Sequence, residues 1–284
     1  FNDYSIKAVN SIKNNLKLNK INQKNIKIYN EDANLFLLNS SGFDYIDVDP
    51  FGSSNFMLDS SIKRISRNGI LAVTNTDTAA LTGTYPEACA RKYWSMAKRD
   101  YMMHETGLRI LIRKIQLVGM QYEKALIPIF SYFKDHYFRV FFKCVKGKKL
   151  CDEVAKQHGM FNDAGPLWTG NLWDSGLVNK MYSTLLRNSN KNKNSIDKSN
   201  ISNNLIKNKI NNEKIINDNQ NNELIRFLRI IKEESKINAV GFYDLHDIAG
   251  KNKLKMMMRK DDIIKKINKK GLKAANTHFS GTGI

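Results

Sequence analysis

Asp49, Pro50, Phe51 and Gly52 stand in a row directly after the apolar-bodied run Phe43 to Val48. Proline has no amide hydrogen and fixes φ near about −65°, so a strand running into it stops there. Gly52 permits a positive φ or the close approach of another backbone. Such a turn holds the Asp49 carboxylate and the Pro50 carbonyl as acceptors at a strand end, with Phe51 as an apolar plane beside them. Two acceptors and an aromatic face suit a flat ring bearing an exocyclic amino group. The acceptors orient its N–H bonds, and stacking on a base contributes about 1–3 kcal/mol. An ordinary strand exit with a capping aspartate has the same local sequence.

Other acids fall at comparable places: Glu31 and Asp32 in "NEDA", Asp47 in "DVDP" and Asp77 in "TNTDT". If the strands before them are neighbours, these acids line one crevice. Thr76, Asp77 and Thr78 then serve as pocket lining or as helix N-caps, since Thr and Asp do both. Arg91, Lys92 and Tyr93 read as a phosphate-and-stacking patch or equally as a solvated helix face. His104-Glu105 lacks the second histidine of a zinc-protease helix, and Glu105 is spaced to pair with Arg109 at i,i+4. His136 sits at an expected hairpin turn. Cys144, Cys151 and His158 lack the paired spacing of a closed four-ligand zinc site, so no metal is expected.

The elements that must position these groups follow from periodicity. "SIKAVNSIKNNLKLN" puts Ile6, Val9, Ile12 and Leu16 on one helical face, with Asp3 or Ser5 as N-cap. "NIKIYNEDA" and "FDYIDVDP" read as strands with acidic carboxyl ends. "FMLDSSIKRISRNG" reads as a helix stopped at Gly69, and "ILAVTNTD" as a buried strand. A long helical region runs from Glu87 to Gln121, and "LIPIFSYF" with "YFRVFFKCV" forms an antiparallel hairpin turned at "KDH". This rhythm predicts an open, mostly parallel α/β sheet, whose ligands bind outside the carboxyl ends of the strands.

The chain has 284 residues, 42% apolar, and a formal net charge of +19. No apolar run approaches the roughly 18 residues of a membrane span, so no membrane partner is expected. Three scattered cysteines point to a reducing, intracellular compartment. The nucleus, the cytoplasm and the mitochondrion all fit. The positive excess favours a polyanionic partner, with nucleic acid ahead of membrane surface. It is densest after residue 222, where "MMMRKDDIIKKINKKG" reads as a basic amphipathic helix with Ile263, Ile264 and Ile267 facing inward. Its lysines meet phosphates and add affinity rather than specificity. Residues 187–222 are dominated by Asn and Lys and read as a largely disordered insertion. No sequence feature addresses oligomeric state.

The strings "FDYIDVDPFGS", "GILAVTNTDTAALTG", "YPEACARKY", "HETGLRILI", "YEKALIPIFSYFKDHYFRVF", "GPLWTGNLWD" and "THFSGTGI" span nearly the whole chain outside the Asn/Lys stretch. In this order they resemble the AdoMet-dependent tRNA (guanine(26)-N2)-dimethyltransferases, and Asp49-Pro50-Phe51-Gly52 resembles a variant of the amino-methyltransferase signature. The resemblance implies a Rossmann-like methyltransferase sheet in residues 1–165. A smaller α+β tRNA-binding domain in 166–284 would carry the insertion. It implies S-adenosyl-L-methionine as donor, tRNA as partner and N2,N2-dimethylguanosine as product. Asp3 matches the acid that binds the ribose of the donor, and Asp32-Ala33 the pair that contacts its adenine. Asp49 matches the catalytic acid, with Pro50, Phe51 and Gly52 completing the base-amino site. The family's first strand and glycine-rich loop have no counterpart in this sequence. A basic RNA-binding fragment without catalysis, and an amino methyltransferase for another base or an amide, are the competing readings.

Overall fold

The computed structural model describes residues 1–196, 222–254 and 256–284. Its centre is a four-stranded sheet ordered β1-β2-β4-β3. Strands β1 (Phe43–Val48) and β2 (Ile65–Asn75) are parallel. Strands β3 (Lys124–Lys134) and β4 (Tyr137–Lys146) are antiparallel to each other, and β4 is antiparallel to β2. The sheet is α/β, as expected, but mixed rather than mostly parallel. The hairpin inserts its second strand beside β2, and a two-residue turn at Asp135-His136 can only return the chain antiparallel.

Ahead of the sheet lie α1 (Ile6–Leu18) and α2 (Ala33–Asn39). Helix α3 (Asn55–Arg64) joins β1 to β2 and buries Leu58 and Ile62. After β2 come α4 (Thr78–Leu81), α5 (Pro86–Tyr93) and α6 (Met103–Met120), the last a core helix that buries Leu108, Leu111, Ile112 and Ile115. Beyond the hairpin are α7 (Lys148–Ala155) and a small antiparallel pair, β5 (His158–Phe161) and β6 (Ala164–Trp168). Helices α8 (Ser175–Ile196) and α9 (222–234) follow, and α10 (Leu245–Lys251) and α11 (Lys260–Lys269) complete the order. Val178 of α8 and Leu228 and Ile231 of α9 form a second, smaller core with Phe130 of β3. In α11, Ile263, Ile264 and Ile267 are half-buried while Lys265, Lys266 and Lys269 are exposed.

Several local expectations change. "NIKIYNEDA" is no strand: only Tyr29 pairs, in a single parallel bridge to Asn2. Helix α3 ends at Arg64, not at Gly69, because β2 has already begun at Ile65. Gly69 lies within β2, where a Cβ would meet the Asp44 carbonyl at 3.0 Å, beside the irregular register between Phe43 and Tyr45. The glycine serves close backbone approach rather than a helix cap. The long helical region is two helices, because Trp94 takes a left-handed conformation at φ 56° and ends α5. Ile6 is 56% exposed, so the inward face of α1 begins at Val9. Helix α8 continues through Ile196, inside the stretch read as a disordered insertion, and 197–221 lie outside the described residues.

Candidate active site

Because β1 and β2 run parallel, with Val48 opposite Val73, their carboxyl ends deliver Asp49 and Thr76 to one edge of the sheet. The chain leaves β1 through Asp49 and Pro50 and turns at Gly52, with φ 75°. Hydrogen bonds between Gly52 and Thr76 fasten this turn to the end of β2. The Gly52 amide donates to the Thr76 hydroxyl at 2.6 Å, and the Thr76 amide donates to the Gly52 carbonyl at 3.0 Å. Phe51 at the crest is fully exposed. Asp49 is exposed, and among the described residues no donor reaches its carboxylate or the Pro50 carbonyl. The turn thus presents two free acceptors and a bare aromatic face.

Beneath it lies a buried polar network. Asn75 is fully buried, and its Nδ2 donates to the Tyr93 hydroxyl at 3.1 Å. The Tyr93 hydroxyl reaches Ser53 Oγ at 3.1 Å and Asp77 Oδ2 at 3.0 Å. Burial, above all, pushes the Tyr93 phenol far above its ordinary pKa, so it stays a neutral donor. Asp77 stands at the N-cap of α4 but makes no cap bond. Its carboxylate turns instead to Tyr93 and to the Lys92 ammonium at 2.9 Å. Asn55, at the start of α3, donates to the Lys92 carbonyl at 2.9 Å. The network ties β1, β2, α3 and α5 together under the turn, leaving the buried Asn55 Oδ1 without a partner among the described residues, and a buried polar network of this kind restricts geometry.

The expected site residues therefore separate. Asp49, Pro50, Phe51, Gly52, Thr76 and Asp77 share the edge, with Thr78 opening α4 next to them. Arg91 and Lys92 are exposed on α5. Tyr93 is not a stacking surface: it is fully buried and works through its hydroxyl. Asp47, two residues before Asp49, is not a free acid of the crevice. Arg139 of β4 holds it with two bonds of 2.7 Å, and this pairing keeps its carboxyl below the usual range despite partial burial. Asn75, Ser53 and Ser54 went unmarked in the sequence. The only trace of them was that polar residues follow the apolar bodies of β1 and β2.

Asp3 and Asp32 lie beside each other. The Asn2–Tyr29 bridge, the Asn2 amide to the Glu31 carbonyl at 3.1 Å, and Asn30 Nδ2 to the Asp3 carbonyl at 2.9 Å hold their two segments together. Asp3 Oδ1 accepts the Ser5 amide at 2.7 Å, leaving Oδ2 free. Asp32 caps α2, its Oδ1 accepting the Asn34 and Leu35 amides at 2.9 and 3.0 Å. Its second oxygen and the Ala33 amide, an unpaired first-turn donor, offer one acceptor and one donor side by side. That pair fits the amino group and ring nitrogen of adenine, and the free Asp3 oxygen fits a ribose hydroxyl, so the residues present suit S-adenosyl-L-methionine. Helix α2 packs on α3, with the Ser60 hydroxyl donating to Asn34 at 2.6 Å, which links these acids to the Asp49 turn.

A second polar junction joins α6 to the later part of the chain. Glu105 and Arg109 form the expected i,i+4 pair, at 2.8 Å and almost wholly buried. Arg109 also donates to the carbonyls of Trp168 and Gly170, and Glu105 accepts the Gly241 amide at 2.9 Å. The His158 ring meets Gln116 Oε1 at 2.9 Å. His104 stacks on Phe133 at 3.9 Å between centroids.

Comparison with known proteins supplies the family. The model of the family "N2,N2-dimethylguanosine tRNA methyltransferase" matches residues 1–164 and 194–284. The tRNA (guanine(26)-N(2)/guanine(27)-N(2))-dimethyltransferase of Aquifex aeolicus is 34% identical, over all of this chain and 71% of its own length. The tRNA (guanine(26)-N(2))-dimethyltransferase of Methanocaldococcus jannaschii is also 34% identical, over all of this chain and 72% of its own. The structure of Trm1 from Pyrococcus horikoshii with S-adenosyl-L-methionine superposes with a TM-score of 0.78 at 29% identity, covering 99% of this chain and 77% of that one. The chain belongs to the N2,N2-dimethylguanosine tRNA methyltransferase family.

Proposed function

We propose that this chain transfers methyl groups from S-adenosyl-L-methionine to the exocyclic N2 of guanine 26 in tRNA, giving N2,N2-dimethylguanosine. The observation that carries the reading is the turn at Asp49 to Gly52. Two unengaged acceptors and an exposed aromatic ring stand at the carboxyl edge of the sheet, over a rigid buried network. The family membership supplies the substrate class. When bound, the donor supplies an electrophilic methyl group on a sulfonium.

The guanine N2 lone pair is delocalised into the ring, so the amino nitrogen is a poor nucleophile. A hydrogen bond from N2–H to the Asp49 carboxylate or the Pro50 carbonyl returns electron density to nitrogen as it becomes tetrahedral. Asp49 accepts the proton that nitrogen loses, and Phe51 stacks on the ring to hold its plane. The target base leaves its stack to reach the edge, as base-modifying enzymes require. Asp3, Asp32 and Ala33 hold the donor. Thr76, Asp77, Thr78, Arg91 and Lys92 flank the base site, and the basic residues after 166, α11 among them, grip the RNA backbone. The test is incubation of the protein with unmodified tRNA and labelled donor, followed by nucleoside mass spectrometry. Dimethylguanosine at position 26 is expected; no methylated guanosine, or methylation of another base, refutes the reading.

A further inference from the structure

On α6, beside the residue that follows Tyr93, one cation is buried with no anion among the described residues to balance it. Lys114 of α6 is 7% exposed. Its Nζ lies 3.0 Å from the centroid of the Trp94 indole, and among the described residues no carboxylate pairs with it. The preceding Arg113 donates from Nη1 to the Trp94 carbonyl at 3.1 Å, which closes the C-terminus of α5. Its Nε is buried and has no partner. Trp94 is held at φ 56°, a conformation costly for a bulky side chain, and its ring is 48% exposed. Burial and the Arg113 charge depress the Lys114 ammonium to about 8. An unpaired charge in a shielded place opposes folding. The ring over the ammonium offsets only part of that.

From this arrangement we infer that the Lys114 ammonium forms a seat for one phosphodiester of the tRNA strand, with the Trp94 side chain beside it as a wall. The wall of the seat is the residue that follows the two residues bracing the methylation edge. Trp94 follows Tyr93 and Lys92, and these reach Asp77, Asn75 and Asn55 directly. A strand whose guanine lies against Phe51 runs past Arg91 and Lys92 into this seat. A phosphate oxygen accepts from Nζ, giving the buried ammonium the anion it lacks. The inference rests on tRNA being the substrate.

The test is tRNA binding by the whole protein across a salt series, for the wild type, Lys114→Met and Lys114→Arg. Lys114→Met keeps the packing volume and removes the charge. It should weaken binding about tenfold and lower the slope of log affinity against log salt by about 0.7–0.9, whereas Lys114→Arg should keep the slope. The loss should fall on KM for tRNA rather than on kcat. Acetylation of lysines in the unmodified protein, read by mass spectrometry, tests the seat without any variant: tRNA should shield Lys114. An unchanged slope in Lys114→Met, or unshielded Lys114, overturns the seat. Shielding by inorganic phosphate as strong as that by tRNA makes it a free-phosphate site and overturns it too. Methyl transfer by the wild type separates the two claims. If no tRNA is methylated but Lys114→Met still loses affinity, the reaction assigned above fails and the seat stands.

Discussion

Gly52 and Thr76 are joined amide to hydroxyl at 2.6 Å and amide to carbonyl at 3.0 Å, so the turn that carries Asp49 is fastened to the end of β2. Thr76→Val removes the first bond and keeps the shape of the side chain. Folding stability should fall by about 1 kcal/mol, while kcat for methyl transfer should fall about tenfold or more, because small misplacements at a reacting centre are costly. Denaturant unfolding alongside single-turnover transfer checks the split.

Gly52→Ala isolates the backbone. A Cβ at this position meets nothing within 4 Å, yet φ is +75°. Its cost is therefore conformational alone, about 1–2 kcal/mol. A chemical-denaturation midpoint unchanged from the wild type would show that the turn is free to relax.

Tyr93→Phe should destabilise the fold by about 1–3 kcal/mol, because the fully buried Asn75 amide loses the nearer of its two acceptors and Asp77 loses a donor. The same change should loosen the turn through Ser53, lowering kcat more than donor affinity. Equilibrium unfolding and isothermal titration with the donor read the two effects separately.

Glu105 and Arg109 make a buried pair that also serves four backbone groups, the Trp168, Gly170 and Ala239 carbonyls and the Gly241 amide. Arg109→Met leaves a buried carboxylate without its counter-charge and should cost about 3–5 kcal/mol, seen as a lower thermal midpoint. Exchanging both residues for apolar ones of similar size should recover most of that loss.

His158 makes stability depend on pH in one direction. Its folded pKa is near 4, held down by burial and then by Arg113, against about 6.5 in the unfolded chain. Between these values the unfolded state binds more protons, so stability falls as pH drops below about 6.5 and levels off near pH 4. His158→Gln keeps a polar partner for Gln116 and should flatten that part of the thermal-midpoint profile.

The legible parts of the fold were those written in local chemistry. Pro50 and Gly52 mark the end of β1 by removing a donor and by permitting a positive φ, and "KDH" between two alternating runs marks the hairpin. Where a residue served a distant partner, the local reading misled. Gly69 resembled a helix stop, yet its lack of a Cβ serves the approach of the Asp44 backbone from another strand. "NIKIYNEDA" alternates like a strand, but a strand needs a ladder and only Tyr29 finds a partner. Tyr93 read as a surface ring because helix periodicity does not reveal a buried hydroxyl shared by Ser53, Asn75 and Asp77. Asp47 read as a crevice acid because Arg139 lies on the far hairpin. The acids at strand ends were visible; which of them stay unengaged was not.

The most direct test of the account is methyl transfer to unmodified tRNA by Asp49→Asn, which keeps the size of the side chain and removes its ability to take a proton. A fall in kcat of about 10²–10⁴ is expected, with donor and tRNA affinities close to those of the wild type. Transfer by Asp49→Asn at a rate within a few-fold of the wild type would contradict it.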